Sequence, residues 1–281
     1  MRLTIPSALA IAICAALVIA PVQAQNALDR TKVLHAAAYA HGMARWADIG
    51  GNARLPAVDI VNTMEFWGSG TIDRAGQPVK TEYHVALGFN PPAMRVEMTR
   101  PAAGGGAPQR TIQTVRDNFA WDESEMGAGL IPGKGTATPA NAAVQERLLP
   151  LWTLPYGVLK AALAAGDKTT VSSEGGATII TAPLAGPLAG ITVKATLDAN
   201  SMITKVETMP ANPALTALAT QTDYSGYKDH GEILTDIKSP SRIVRKQGGR
   251  TILDVEVKSW DTSPYLVFPV PPNVKAAAAS R

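Results

Sequence analysis

The sequence predicts a mainly β protein with a few helices (an α+β fold). In this fold, one curved antiparallel sheet of about 11 strands forms an unclosed barrel plugged by helices. The first observation behind this prediction is a long series of short segments that alternate polar and apolar residues and are joined by turn residues. The second is that helical periodicity does not alternate with these segments, which argues against a parallel, nucleotide-binding sheet.

The first 24 residues have the features of a signal peptide. Arg2 supplies a positive charge, residues 8–20 are apolar, and residues 22–24 form a small-residue cleavage motif. We expect cleavage after Ala24 and therefore a periplasmic protein. The alternative is an uncleaved membrane anchor, but the apolar stretch is short for a span and is interrupted by Pro21.

The remaining chain is expected to form a single half-barrel domain over residues 25–272, followed by a frayed, alanine-rich tail over residues 273–281. The one cysteine, Cys14, lies in the leader, so the mature domain is predicted to fold without a disulfide.

Charge indicates no nucleic-acid partner. The basic residues are scattered over a chain of net charge +3. The local group of Arg242, Arg245, Lys246 and Arg250 is interpreted as a solvated strand face.

An N-terminal helix is predicted from Asn26 to Asp48. Apolar residues recur there at intervals of three and four and are expected to form its buried stripe. These residues are Val33, Ala36, Tyr39, Met43 and Trp46.

About five consecutive strands are predicted between Thr63 and Asp122. The clearest covers Lys80 to Phe89, where a polar face opposes an apolar one because successive side chains of a strand point to opposite faces. The polar set is Lys80, Glu82 and His84, and the apolar set is Tyr83, Val85, Leu87 and Phe89. Gly68 and Gly70 interrupt the first strand and predict a bulge or bend.

A loop follows over residues 123–139, and its acidic start at Asp122, Glu123 and Glu125 is interpreted as a solvated turn rather than a calcium site. Helices are predicted at residues 141–149, interrupted at Pro150, and at residues 157–165. This pair is expected to lie over the apolar face of the sheet, either as core or as a lid.

A second series of strands completes the predicted sheet. Its segments are residues 169–173, 178–181, 191–197, 202–209, 218–224, 233–237, 241–246 and 251–260.

No motif in the sequence identifies a reaction. The four histidines do not have a metal-ligand spacing, no nucleophile-elbow motif occurs, and the run of glycines at 104–106 lacks the lysine of a phosphate loop. We therefore predict no catalytic residue, no metal and no cofactor, while a triad dispersed in the sequence stays an alternative.

Apolar side chains on the covered face either fill the core or line a pocket for an apolar ligand. The ligand-binding candidates are Phe89, Met98, Trp121, Trp152 and Leu154. Methionine and tryptophan supply adaptable and extended apolar contacts, but neither residue type separates a pocket from a core.

Several segments, taken in order, carry a family resemblance. They are Trp121–Glu123, Leu151–Pro155, Tyr224–Asp229, Pro240–Val244 and Lys246–Gly249. With these segments in place, the chain resembles the periplasmic lipoprotein-carrier (LolA/LolB-like) superfamily. It is similar more closely to uncharacterised exported bacterial proteins and to the N-terminal regions of some metallo-β-lactamase-like proteins.

The resemblance implies an exported leader, an N-terminal helix and an unclosed antiparallel barrel whose helices plug an apolar cavity. It carries over no catalytic residue, and the metal-binding histidine motif of the hydrolase domain is absent from the sequence. The expected function is a periplasmic carrier of a lipid or other apolar small molecule. The alternatives are a non-catalytic module that docks an envelope protein partner through its sheet edges, and a cryptic hydrolase.

Overall fold

The computed structural model describes residues 28–43, 48–49, 52–53, 61–102, 105–230 and 236–279, so the predicted signal peptide lies outside the described residues. The helices are α1 (Arg30–Ala40), α2 (Val144–Thr153), α3 (Pro155–Ala165) and α4 (Pro272–Ala279). The strands of the N-terminal half are β1 (Asp48–Ile49), β2 (Asn52–Ala53), β3 (Thr63–Arg74), β4 (Gln77–Phe89), β5 (Pro92–Arg100), β6 (Gln109–Arg116), β7 (Phe119–Glu123) and β8 (Ala137–Pro139). Those of the C-terminal half are β9 (Thr170–Glu174), β10 (Ala177–Pro183), β11 (Ile191–Leu197), β12 (Ile203–Pro210), β13 (Thr220–Ser225), β14 (Lys228–Asp229), β15 (Lys238–Ser239), β16 (Arg242–Gln247) and β17 (Arg250–Thr262).

One antiparallel sheet of thirteen strands dominates the described chain, with the order β8-β7-β6-β5-β4-β3-β17-β16-β13-β12-β11-β10-β9. The two halves of the chain meet at its centre, where β17 pairs with β3. Its edges, β8 and β9, do not pair with each other, so the barrel is unclosed. The predicted fold class is confirmed, with thirteen strands in place of about 11.

Two faces of the sheet are distinguished by what covers them. The inner face packs against α1, α2 and α3 in one apolar cluster that includes Phe66, Tyr156 and Trp260. The outer face carries the polar set predicted for β4. His84 Nε2 lies 2.6 Å from Glu65 Oε1, and the His84 ring stacks on Trp67.

The chain passes from β8, at one edge of the sheet, to β9, at the other edge, through α2 and α3. The helix expected to stop at Pro150 continues to Thr153, and that prediction is wrong. The bend comes instead at Leu154, which is extended (φ −59°, ψ 148°) because the following Pro155 disfavours helical backbone.

No single helix in the described chain is long and apolar enough to cross a membrane, although α2 and α3 with their flanking turns, bent by 95°, pass that test as a pair.

Helix α1 is shorter than predicted and buries a different stripe. Its buried residues are Leu34, Ala37 and Ala38, followed by His41, whereas Tyr39 is 57% exposed. Met43 of the predicted stripe is buried as expected, but within the helix the stripe is displaced because small alanines supply the buried surface. Residues 44–47, including Trp46 of the predicted stripe, lie outside the described chain.

The predicted bend in the first strand is confirmed. The pairing of β3 with β17 shifts register between Val257, opposite Gly68, and Ser259, opposite Trp67. A Cβ atom at Gly70 would collide with the carbonyl oxygen of Asp254, so only glycine permits this approach of the two strands.

Residues 264–279, here named the C-terminal strap, cross the outer face of the sheet. Phe268 packs on Ala86 and Ala93, while Val270 and Val274 pack on Trp121. The sequence predicts a frayed tail from residue 273, but the chain is helical as far as Ala279. Burial of Val274 holds this helix on the sheet.

Candidate functional site

A cavity of about 450 Å³ lies on the inner face of the sheet and is named the sheet cavity. Strands β4, β5, β6, β13, β16 and β17 form its floor, and α2 with the turn at Pro213–Leu218 forms its roof. The lining residues are Tyr83, Met94, Val96, Met98, Gln113, Glu146, Arg147, Leu149, Pro150, Thr153, Ala217, Leu218, Thr220, Arg245, Gln247, Ile252 and Leu253.

The apolar wall follows from strand alternation. Met94, Val96 and Met98 occupy successive inner positions of β5, and Leu149 of α2 lines the cavity from the roof. On β3, the inner positions that follow Phe66 are Gly68 and Gly70, which contribute no side chain to the floor.

The roof is attached to the sheet by hydrogen bonds at both ends of α2. Arg147 donates to the carbonyl oxygen of Trp121 at 2.7 Å and pairs with Asp122 Oδ1 at 2.7 Å. At the other end, the Tyr224 hydroxyl donates to the carbonyl oxygen of Thr153 at 2.7 Å. These contacts hold α2 over the cavity.

The cavity is lined by polar as well as apolar residues, and two of the polar ones are Arg245 and Tyr83. Arg245 of β16 is half-buried, and its Nε donates a long 3.5 Å hydrogen bond to Thr222 Oγ1. Burial raises the pKa of the Tyr83 hydroxyl, and the positive charge of Arg245 opposes that shift. The two groups are therefore close enough to interact.

The structure separates the five predicted ligand-binding residues. Met98 lines the sheet cavity. Phe89 and Trp152 stand in edge-to-face contact, with centroids 6.0 Å apart, outside that cavity. Leu154 is buried in the main core, and Trp121 lies beneath the C-terminal strap on the outer face. Trp121 and Trp152 therefore lie apart, because consecutive residues of β7 face opposite ways and Ala120 takes the inner position.

Trp152 and Ala164 line two neighbouring depressions of about 590 Å³ and 550 Å³, together named the Trp152 groove. Phe89 and Leu163 contribute to one of them, and the ammonium of Lys160 lies 5.3 Å from the Phe89 ring. Residues of α2 line both the groove and the sheet cavity.

Of the three acidic residues interpreted as a solvated turn, Glu125 is exposed as expected and Asp122 is half-exposed, but Glu123 is not solvated. Glu123 is buried, and its carboxylate accepts hydrogen bonds from Trp121 Nε1, Thr114 Oγ1 and the Gly127 backbone nitrogen. Within the described ranges, no group of three or more His, Cys, Asp or Glu side chains is placed to hold a metal ion.

Sequence reasoning missed Arg245, although the signal was present. Arg245 has the same strand parity as the core residue Ile243, which predicts an inward direction. The other basic residues of the local group do form a solvated face. Arg242, Lys246 and Arg250 pair with Asp254, Asp223 and Asp73.

No protein-family model matches the chain, and no curated protein matches it. The solved structures similar to it include a putative outer membrane lipoprotein-sorting protein domain from Vibrio parahaemolyticus (8% identity, 90% of this chain and 100% of that chain, TM-score 0.47). They also include a LolA superfamily protein from Nitrosomonas europaea (11% identity, 87% and 96% of the two chains, TM-score 0.40). A third is a DUF1329 family protein from Desulfovibrio piger (7% identity, 85% and 95%, TM-score 0.47). At these identities no ligand or functional residue is transferred to this chain. Its own coordinates show the unclosed antiparallel barrel, plugged by helices, that the sequence resemblance implies.

Proposed function

We propose that this protein is a periplasmic binding or carrier protein that holds a lipid or acyl ligand in the sheet cavity. The observation that carries the proposal is the cavity of about 450 Å³ between the sheet and α2, which the inner-face side chains leave unfilled. Its volume falls in the range of small-molecule sites, roughly 300–1,000 Å³.

The chemistry of the wall supports an apolar ligand. Met94 and Met98 are flexible and polarisable, so they can adapt to an acyl chain without a fixed shape. Val96 and Leu149 extend the same apolar surface between the sheet and the helix.

Hydrolysis receives less support from the cavity than binding does. Among its described lining residues there is no serine, cysteine or histidine that could act as nucleophile or general base in the usual arrangement.

One observation favours the second candidate function, a module that docks a protein partner. Strand β9 forms one edge of the sheet, pairs in the described chain with β10 alone, and exposes most of its side chains. Such an edge can accept a strand from another protein. Co-purification of a stoichiometric partner, lost when β9 is altered at Val171→Pro, would favour this function over ligand carriage.

The test of ligand carriage compares a cavity-filling variant with a matched control. Met98→Trp places a large ring in the sheet cavity, whereas Thr99→Trp changes the next residue of β5, which faces the outer side. Native mass spectrometry of protein isolated from its own cell envelope should show bound lipid in the wild type and in Thr99→Trp. The lipid should be depleted in Met98→Trp.

Uptake of a fluorescent fatty acid should follow the same order. A wild-type protein that is isolated empty and takes up no fluorescent fatty acid would contradict the proposal, as would equal loading of the two variants.

A further inference from the structure

We infer that the ligand of the sheet cavity carries an anionic oxygen group, a carboxylate or a phosphate, which the guanidinium of Arg245 binds. The inference rests on the proposed function and specifies the class of amphiphile. The structural basis is the direction, the partners and the surroundings of this one arginine.

Arg245 occupies an inner-face position of the sheet. On β16 it pairs with Thr222 of β13. The pair of Ile243 with Tyr224 lies two residues further along the two strands, and both of those side chains are buried in the core. A charged residue at an inner position of a strand is costly unless it is paired or used. Departures from the polar–apolar pattern are expected chiefly at functional sites.

The guanidinium of Arg245 has N–H donors available for a ligand. An arginine carries five N–H donors, and among the residues that the structure describes only Nε is engaged, at 3.5 Å from Thr222 Oγ1. In the described part of the chain, no carboxylate lies within 4.0 Å of it. By contrast, Arg242 on the same strand is held by Asp254 in two hydrogen bonds, at 3.0 and 2.9 Å.

A β-bulge lies directly beside Arg245. The pairing of β16 with β17 shifts register between Arg245, opposite Leu253, and Lys246, opposite Thr251, so that Ile252 is the extra residue. Bulges change the direction of neighbouring side chains and are enriched next to binding sites. Ile252 and Leu253 both line the cavity that Arg245 faces.

Tyr83 supplies a second donor at the same cavity. Its hydroxyl has no hydrogen-bond partner among the described residues, and the Arg245 charge acts on it electrostatically. An arginine and a tyrosine hydroxyl can bind one anionic oxygen group together, since charge-assisted hydrogen bonds are stronger than neutral ones.

The remaining charges of the cavity place the anion at the Arg245 side. Arg147 is neutralised by Asp122 and bonded to backbone carbonyls, so its charge is already engaged. Glu146 lines the cavity from α2 and would repel an anion near the roof. The acyl chain then extends from Arg245 along the apolar wall formed by Met94, Val96 and Met98.

The experiment measures displacement of the neutral dye N-phenyl-1-naphthylamine by three amphiphiles of equal chain length, namely dodecanoate, 1-dodecanol and dodecylammonium. Wild-type protein is compared with Arg245→Gln, with the charge-conserving Arg245→Lys, and with Arg242→Gln as the control on the outer face. Acetate and inorganic phosphate are tested separately, because they carry the charge without the chain. Thermal unfolding verifies that each variant is folded.

We expect wild-type protein and Arg242→Gln to bind dodecanoate roughly 10- to 100-fold more tightly than 1-dodecanol. Arg245→Gln should lose this preference but keep its affinity for 1-dodecanol, and Arg245→Lys should retain a part of the preference. Acetate and phosphate should not displace the dye at the concentrations at which dodecanoate does.

Equal affinities for the acid and the alcohol in the wild type would overturn the inference while leaving the proposed function standing. A preference for dodecanoate that survives in Arg245→Gln would also overturn the inference. Tightest binding of dodecylammonium would overturn it as well and would assign the head-group contact to Glu146. Displacement by acetate or phosphate alone would refute the acyl part of the inference. Absence of binding by every amphiphile would overturn both proposals.

Discussion

His41 is a fully buried histidine just beyond the end of α1 whose two ring nitrogens both have partners. Nδ1 lies 2.8 Å from the carbonyl oxygen of Ala37, and Nε2 lies 3.4 Å from the backbone nitrogen of Ile203. The ring is therefore neutral, with its proton on Nδ1 and its lone pair on Nε2 directed at the backbone N–H. Burial lowers the pKa of His41 from 6.5 to about 4.

This shift predicts a loss of stability on acidification. Between pH 6.5 and about 4 the unfolded chain binds a proton at His41 and the folded protein does not, so the free energy of unfolding decreases as the pH falls through this range. From pH 7.5 to 5.0 the contribution of His41 is about 2 kcal/mol. Urea unfolding of the wild type and of His41→Gln at both pH values measures it as the difference in pH dependence. Parallel pH dependences would contradict the prediction.

Glu123 is a second buried group that the sequence pattern misrepresents as a surface residue. Its carboxylate accepts hydrogen bonds from Trp121 Nε1 at 3.0 Å, Thr114 Oγ1 at 2.8 Å, the Gly127 nitrogen at 2.7 Å and Arg95 Nε at 3.4 Å, so these four neighbours are all donors. The carboxylate fixes the loop after β7 to the sheet.

Replacing Glu123 by glutamine directs an amide donor at one of these donors. We expect Glu123→Gln to lower the free energy of unfolding by roughly 1–3 kcal/mol, because a buried donor loses its partner. Glu125→Gln, an exposed change in the same loop, is the control and should stay within about 0.5 kcal/mol of the wild type. Equal stabilities of the two variants in urea unfolding would show that Glu123 has no structural role.

At the level of elements, the close approach of β3 and β17 at the centre of the sheet depends on glycine. A methyl group at Gly70 would meet the carbonyl oxygen of Asp254, which belongs to backbone and cannot move aside without breaking the pairing. We expect Gly70→Ala to cost about 2 kcal/mol or more of stability. Gly106→Ala, where the nearest atom to the added Cβ is a side-chain carbon at 3.6 Å, should be close to neutral. The two midpoints of thermal unfolding decide this, and a Gly70→Ala variant as stable as Gly106→Ala would contradict the prediction.

Strand elements could be predicted because alternation is a local signal. The polar and apolar faces of β4, the bend at Gly68 and Gly70, and the helix pair over the sheet are all present in the structure. The stripe of α1 was displaced because alanine and histidine are not strongly apolar, and only tertiary packing shows that they are buried.

At the scale of the whole molecule, α2 and α3 join the two free edges of the sheet and cover its inner face. Alternation assigns residues to one face or the other but does not show which positions the helices leave uncovered. For that reason the sequence could not separate Met98, which lines the cavity, from Leu154, which lies in the core. The surroundings of Trp121 could not be predicted, because the strap that covers it on the outer face comes from residues more than 140 positions later in the chain.

The two faces of the sheet should act independently, since the strap and the sheet cavity lie on opposite sides. Val274 is fully buried against Trp121, so Val274→Ala should reduce the free energy of unfolding by about 2 kcal/mol. Lys275→Ala, the exposed neighbour on α4, should leave stability unchanged. Neither change should alter the affinity for dodecanoate, because the strap packs on the outer-face side chain of Trp121, whereas the cavity residue Arg147 contacts the backbone carbonyl oxygen of Trp121. The prediction would be contradicted if the affinity for dodecanoate fell together with the stability in Val274→Ala but not in Lys275→Ala. That result would show that the strap holds the sheet in its ligand-binding shape and that the two faces are coupled.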